Sequence, residues 1–280
     1  MANRTRYIGP IPLPKTPYDK LAVLVFVLGG HLCVWYEIFH ILPFYYQNGA
    51  SSVIWFHYVF TVVCYINIYG NLINILMSKT SGETCVLPTL APEGWKYCER
   101  CLENYPPRSH HCKLCDKCVL KRDHHCWFAG SCIGYTNHRY YLVMITYCWL
   151  VAVYANIFNF EFNRQQLGGF GFGTWFCILF PHVCFTFGYL SWYEFFITSL
   201  TSIGLLLLFM FSYLLYAQIM QIIYGQTKYE RKINVRKYDL GFKDNLVEVT
   251  GNAGLMVFMW PWIRSKLKGD GTAFREQKAK

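Results

Sequence analysis

Seven of the chain's 13 cysteines and four of its nine histidines fall between Cys98 and Cys132. Cys98-x2-Cys101 is a two-ligand knuckle, and Cys112-x2-Cys115-x2-Cys118 follows directly after His111. His125 and Cys132 come later. Six thiols and two imidazoles make the donor set of two tetrahedral Cys3His zinc sites. The stretch Trp95–Tyr141 has few aliphatic residues. A module with so little core needs such a staple, and a structural zinc contributes on the order of 10–16 kcal/mol to folding one. Seven scattered buried thiols would not show this spacing.

One cysteine is left over. Cys126 closes the tetrapeptide Asp123-His124-His125-Cys126. If His125 is a ligand, Cys126 is held beside a metal site without being required by it. His124 is then placed to act as a base and Asp123 to orient that imidazole, an arrangement of nucleophile, base and orienter. Neighbouring imidazoles and cations favour the thiolate form, which is the nucleophile. The blander readings are a spare ligand or packed thiol for Cys126, a surface imidazole for His124, and a loop carboxylate or cap for Asp123.

The surrounding chain must hold this cluster at a membrane. Of 280 residues, 54% are apolar or aromatic and only 15% charged, with 53 aromatic residues and a mean hydropathy of +0.21. That excludes a disordered chain and argues against a soluble enzyme. Four long apolar runs stand out: Leu21–Leu42, interrupted by His31 and Glu37; Val53–Met77; Tyr141–Phe160; and Phe195–Ile223. Each reaches the roughly 20 residues that cross the hydrocarbon as a helix.

Basic residues set the orientation. Of 26 Lys and Arg, four lie in the first 20 residues, nine in Ser78–Arg139 and twelve from Gly225 onward. The connection between runs three and four holds only Arg164. The positive-inside tendency therefore predicts cytosolic termini and a cytosolic cysteine cluster, where disulfides are disfavoured. The formal charge of +10 fits a membrane-facing surface. Thr174–Leu190 is uncharged but holds Pro181 and His182; it reads as a luminal or re-entrant segment, since a fifth crossing would put the basic tail outside. Gly254–Ile263 is too short to cross and reads as interfacial through Trp260 and Trp262. No cleavable signal peptide and no internal repeat are evident.

From Cys98 to Tyr141 the sequence resembles the cysteine-rich domain of the DHHC protein S-acyltransferases (palmitoyltransferases). The residues that carry the resemblance are the first knuckle, Pro107-Arg108, His111-Cys112, the two following cysteines, Asp123-His124-His125-Cys126, Cys132, Gly134, Asn137 and Tyr141. Asn245 with Gly251 resembles the family's tail motif, where the Asn bonds backbone near the membrane. The resemblance implies that Cys98, Cys101, His111 and Cys118 hold one zinc. Cys112, Cys115, His125 and Cys132 would hold the other. Cys126 would carry the acyl group. Three departures stand against it: Trp127-Phe128 where the family has Pro-Trp, Gly130-Ser131 where it has an Asn pair, and Lys228 in Thr227-Lys228-Tyr229-Glu230, where a second Thr helps position the Asp. Lys228 could pair with Asp123 or disturb it.

The expected fold is an α-helical integral membrane protein. It has a cytosolic segment (1–20), transmembrane helices 1 and 2 (21–77), a cytosolic cysteine-rich zinc domain (78–140), transmembrane helices 3 and 4 (141–224) and a cytosolic basic tail (225–280). The resemblance implies protein S-palmitoylation, with palmitoyl-CoA or another long-chain acyl-CoA as co-substrate and two structural zinc ions. Arg108 and His110 are candidates for the CoA phosphates. Partners would be membrane lipid and membrane-associated proteins with cytosolic cysteines, not nucleic acid, at an ER or Golgi membrane. The alternatives are a catalytically weak zinc scaffold or acyl-CoA sensor, and a RING-like ubiquitin ligase, which would leave Cys126 idle.

Overall fold

The computed structural model describes residues 14–46, 52–80, 88–169 and 171–277. Arg4, Arg6 and Cys85 lie outside the described residues. Four helices are long and apolar enough to cross a membrane: α1 (Pro17–Tyr45), α2 (Ser52–Met77), α3 (His138–Gln166) and α6 (Trp192–Ile223). Between α2 and α3 come six three-residue strands: β1 (Lys96–Cys98), β2 (Glu103–Tyr105), β3 (His110–Cys112), β4 (Lys117–Val119), β5 (His124–Cys126) and β6 (Ser131–Ile133). Two short helices, α4 (Phe172–Leu179) and α5 (Pro181–Thr186), separate α3 from α6. The tail holds α7 (Lys228–Lys232), α8 (Phe242–Thr250) and a 3-10 turn at Gly254–Phe258.

The spans outrun the apolar runs by a few residues at their ends. Helix α3 begins at His138 and continues through Glu161 and Arg164, which pair at i,i+3. A helix end at a water interface tolerates such charges, so hydropathy marks the hydrocarbon and not the helix. Inside α1, Glu37–Ile41 forms a π segment. It turns Glu37 inward, where the side chain is buried and hydrogen-bonded to Tyr154. π segments change which side chains share a face, and here one shelters the single carboxylate of that run.

The chain divides into two units. One comprises residues 29–65 and 145–215. Its core is Tyr36, Ile41, Phe162 and Ile197. Polar side chains lock its helices: the Tyr46 and Tyr154 hydroxyls bracket the two ring nitrogens of His57 at 2.6 and 2.5 Å, Trp149 donates to Ser212 Oγ at 3.0 Å, and Asn163 donates to Thr201 Oγ1 at 2.7 Å. Within hydrocarbon such groups must find partners in the protein. Thr174–Leu190 proves to be α4 and α5, broken at Pro181 and tied by a Cys177–Cys184 disulfide. Neither helix is long enough to cross.

The other unit comprises residues 1–28, 66–144 and 216–280. The strands pair only as three separate hairpins, β1·β2, β3·β4 and β5·β6. A three-residue hairpin has no stability of its own. Their common core is largely thiol: Cys112, Cys115, Val119 and Cys132, with Leu120, Tyr135 and Leu267 as a second cluster.

Candidate active site and metal centres

The hairpins contradict the expectation of no internal repeat. Their registers begin Lys96↔Tyr105, His110↔Val119 and His124↔Ile133, each 14 residues after the last. The turn residues in the left-handed region keep step: Leu102, Asp116 and Gly130. The two donor sets keep step as well, both reading Cys-x2-Cys-x9-His-x6-Cys. The donor atoms of Cys98, Cys101, His111 and Cys118 lie within 4.8 Å of one another, and so do those of Cys112, Cys115, His125 and Cys132.

Strand geometry explains the interleaving. Successive side chains on a strand point to opposite faces. His111 and Cys112 are neighbours on β3, so one turns to the first set and the other to the second. His111 lies directly opposite Cys118, and His125 directly opposite Cys132. Both imidazoles aim Nδ1 at their thiols, with Cys101 Sγ 3.3 Å from His111 and Cys115 Sγ 3.3 Å from His125. Four converging soft and borderline donors with no oxygen ligand fit a closed structural zinc site. His125 Nε2 meets Asp19 Oδ1 at 3.0 Å, the carboxylate contact that fixes a metal-bound imidazole. Residues around Asp19 form a strap over this second set: Lys15 donates to the Cys115 carbonyl at 2.8 Å. A Cβ on Gly130 would run into Pro14.

Cys126 occupies the repeat position of Cys98 and Cys112. Where those have a cysteine three residues on, a histidine at 13 and a cysteine at 20, Cys126 has Ala129, Arg139 and Thr146. It belongs to neither donor set. The thiol is buried, and the next two residues, Trp127 and Phe128, are exposed, with Phe128 against Phe26 at 6.3 Å. His124 shares the Cys126 face of β5, because the two are two residues apart, and hydrogen-bonds the thiol. His124 Nδ1 meets Asp123 Oδ2 at 2.8 Å, and Tyr141 sets its ring edge against the imidazole at 4.9 Å.

Asp123 is buried but well supplied with donors. The Lys228 backbone N–H donates to Oδ1 at 2.6 Å and Gln218 Nε2 to Oδ2 at 3.3 Å. Gln221, with its amide nitrogen turned to the carboxylate, donates at 2.7 Å. Burial by itself would raise the Asp123 carboxyl; the His124 bond and the Lys228 amide outweigh it and hold the group well below the usual carboxylate range. Burial would likewise depress His124, but Asp123 and Cys126 outweigh it, so that His124 is pushed up to about 9. The arrangement stabilises the imidazolium form of His124.

The departure at Lys228 is thereby resolved. Its side chain is exposed, and its backbone reaches Asp123. Thr227 and Glu230 form a capping box that starts α7. Glu230 also takes two hydrogen bonds at 2.7 Å from Arg108, whose third goes to the Gly225 carbonyl at 2.8 Å. Arg108 is thus engaged with the tail, stacked over Tyr238. His110 is half-buried against Tyr229 at 4.5 Å; burial first, then Arg122 and Lys96, lower its pKa. Asn245 accepts from Leu240 N and donates to Ile223 O at 3.1 Å, so the tail motif is structural. Gly134 is required, since a Cβ there would meet the Leu120 carbonyl at 2.6 Å. Asp19, Gln218 and Gln221 escape sequence reading, because no motif surrounds them.

Four membrane-length helices and a double metal-ligand module with one thiol left over define a multi-pass membrane protein with a cysteine-rich domain. The chain belongs to the DHHC palmitoyltransferase family, which it matches over residues 91–235. It is 35% identical to "Probable palmitoyltransferase ZDHHC24" of Danio rerio over 187 residues, 65% of this chain and 62% of that relative. It therefore spans less than two thirds of that relative's length. It is 30% identical to the protein of the same name from Rattus norvegicus over 215 residues, 75% of each chain.

Proposed function

We propose that the protein moves a long-chain acyl group, palmitoyl foremost, from acyl-CoA to cysteines of membrane-associated proteins through an acyl-Cys126 intermediate. The observation that carries this is Cys126 itself, outside both donor sets and bonded to an imidazole that a buried carboxylate orients. The Cys126 thiolate attacks the thioester carbonyl carbon. His124 takes the thiol proton and returns it to the departing CoA sulfur, while Asp123 at Nδ1 leaves Nε2 for that exchange. In the second half a substrate cysteine loses its proton to His124 and takes the acyl carbon, and Cys126 regains a proton. Thioester is exchanged for thioester, so positioning and thiolate fraction supply the rate. Each methylene sheltered in apolar surroundings adds about 0.8 kcal/mol.

Cys98, Cys101, His111, Cys118 and Cys112, Cys115, His125, Cys132 would hold two zinc ions, whose part is to stiffen the hairpins. His110 remains available to a CoA phosphate; Arg108 acts through Glu230. The Cys177–Cys184 disulfide in the α3–α6 connection supports the orientation read from charge, with the zinc domain and both termini cytosolic, because disulfides persist in oxidising compartments and are disfavoured in the cytosol. An ER or Golgi membrane meets that requirement.

The test compares wild type with Cys126→Ser after incubation with labelled palmitoyl-CoA. Wild type acquires hydroxylamine-sensitive label and the variant does not, while both keep two zinc ions. Loss of zinc from the variant would make Cys126 a ligand, and an unlabelled, folded wild type would leave a scaffold.

A further inference from the structure

Lys121 is 8% exposed, and among the described residues it has no hydrogen bond or ion pair; its ammonium only faces the Phe274 ring at 5.8 Å. It holds this place on left-handed backbone, at φ 43°, a conformation that costs a residue with a side chain. It lines a narrow cleft together with Arg108, Arg275, Glu248 and His138. The other wall charges are matched. Arg108 is engaged by Glu230, and Arg275 pairs with Glu248 at 3.0 Å and Asp244 at 3.5 Å. An ammonium buried without a counter-charge is strongly unfavourable. Burial, aided by the Arg108 charge, accordingly lowers Lys121 to about 7, against smaller opposing pulls from Glu248, Glu230 and Asp123. An anion in the cleft would remove the penalty.

The position of the cleft indicates which anion. Its lining includes His138, the first residue of α3, and Gln221 and Ile222 in the last turn of α6. The ends of two spanning helices lie at the depth of lipid headgroups. A phosphate offers several oxygens to more than one cation, which a buried ammonium and a half-exposed guanidinium can share.

We propose that this cleft binds the phosphate of an anionic membrane lipid, with Lys121 as its buried anchor and Arg275 at its mouth. The cleft adjoins the support of Asp123 through Gln221, but it does not use the Cys126 thiol and does not depend on the transferase reading.

The full chain is placed in nanodiscs of phosphatidylcholine, with and without phosphatidic acid, and inorganic phosphate is titrated into the first. Melting temperature and zinc content are read for wild type and Lys121→Met. Wild type melts higher with phosphatidic acid. Lys121→Met melts above wild type in phosphatidylcholine alone, because the unmatched charge is gone, and gains nothing from phosphatidic acid. If Lys121→Met fails to retain two zinc ions, Arg275→Gln replaces it, and half-maximal stabilisation then needs about tenfold more phosphatidic acid. A response to inorganic phosphate without one to phosphatidic acid overturns the lipid assignment. Equal responses in wild type and variant, or none in wild type, overturn the site.

Discussion

Asp19 Oδ1 and His125 Nε2 meet at 3.0 Å although 106 residues separate them. The first turn of the first span thereby holds the imidazole of the second donor set. Asp19 is itself 2% exposed, so the pair is shielded from competing water. Asp19→Asn should loosen metal retention at that set by about 10- to 100-fold. Chelator challenge followed by zinc counting reads this directly: one ion should leave early and one late. Loss of both at one rate would mean that Asp19 only packs.

The Lys228 backbone, rather than its side chain, supports Asp123. Lys228→Ala should therefore acylate like wild type. Lys228→Pro should not, although proline suits this first helical position, and Thr227 at φ −86°, ψ 166° suits a following proline. Losing one charge-assisted bond should slow Cys126 loading about tenfold or more with the melting temperature nearly unchanged. Equal loading by both variants would remove the amide from the site.

Arg108 and Glu230 form a buried pair, with side chains 4% and 7% exposed. Glu230→Gln leaves the guanidinium unmatched and should destabilise the protein by about 3–5 kcal/mol. Arg108→Met in the same chain should recover much of that loss. A double variant as unstable as the sum of its singles would mean the pair does not interact.

Lys121 gives a pH signature. Its folded value of about 7 lies below the ordinary 10.5. Between those values the unfolded chain binds more protons than the folded one, so this residue makes stability rise with pH from about 7 toward 10.5. Below 7 both states are protonated and the residue adds no slope. Subtracting the Lys121→Met profile from wild type should isolate that rise, and a flat difference would contradict it.

The two four-donor clusters were legible because donor type and spacing are both local. The spans were legible because hydropathy needs no partner. Asp19, Gln218 and Gln221 were not, since an ordinary polar residue becomes significant only when folding brings it to a distant imidazole or carboxylate. Lys228 misled because substitution reasoning weighs side chains, while the contact comes from an amide that every residue but proline possesses. The 14-residue repeat was hidden because its third copy has lost the donors that mark the first two. Glu37 looked like a flaw in a span; the π segment and Tyr154 give it a place.

That third copy leaves a particular vulnerability. Cys126 still sits at the end of β5 in the repeat position from which Cys98 and Cys112 present sulfur to their donor sets, without three partner donors of its own. Cadmium, mercury or silver should find this thiol before they displace zinc bound by the two four-donor sets. Poisoning by trace heavy metals would then silence the protein while leaving it folded.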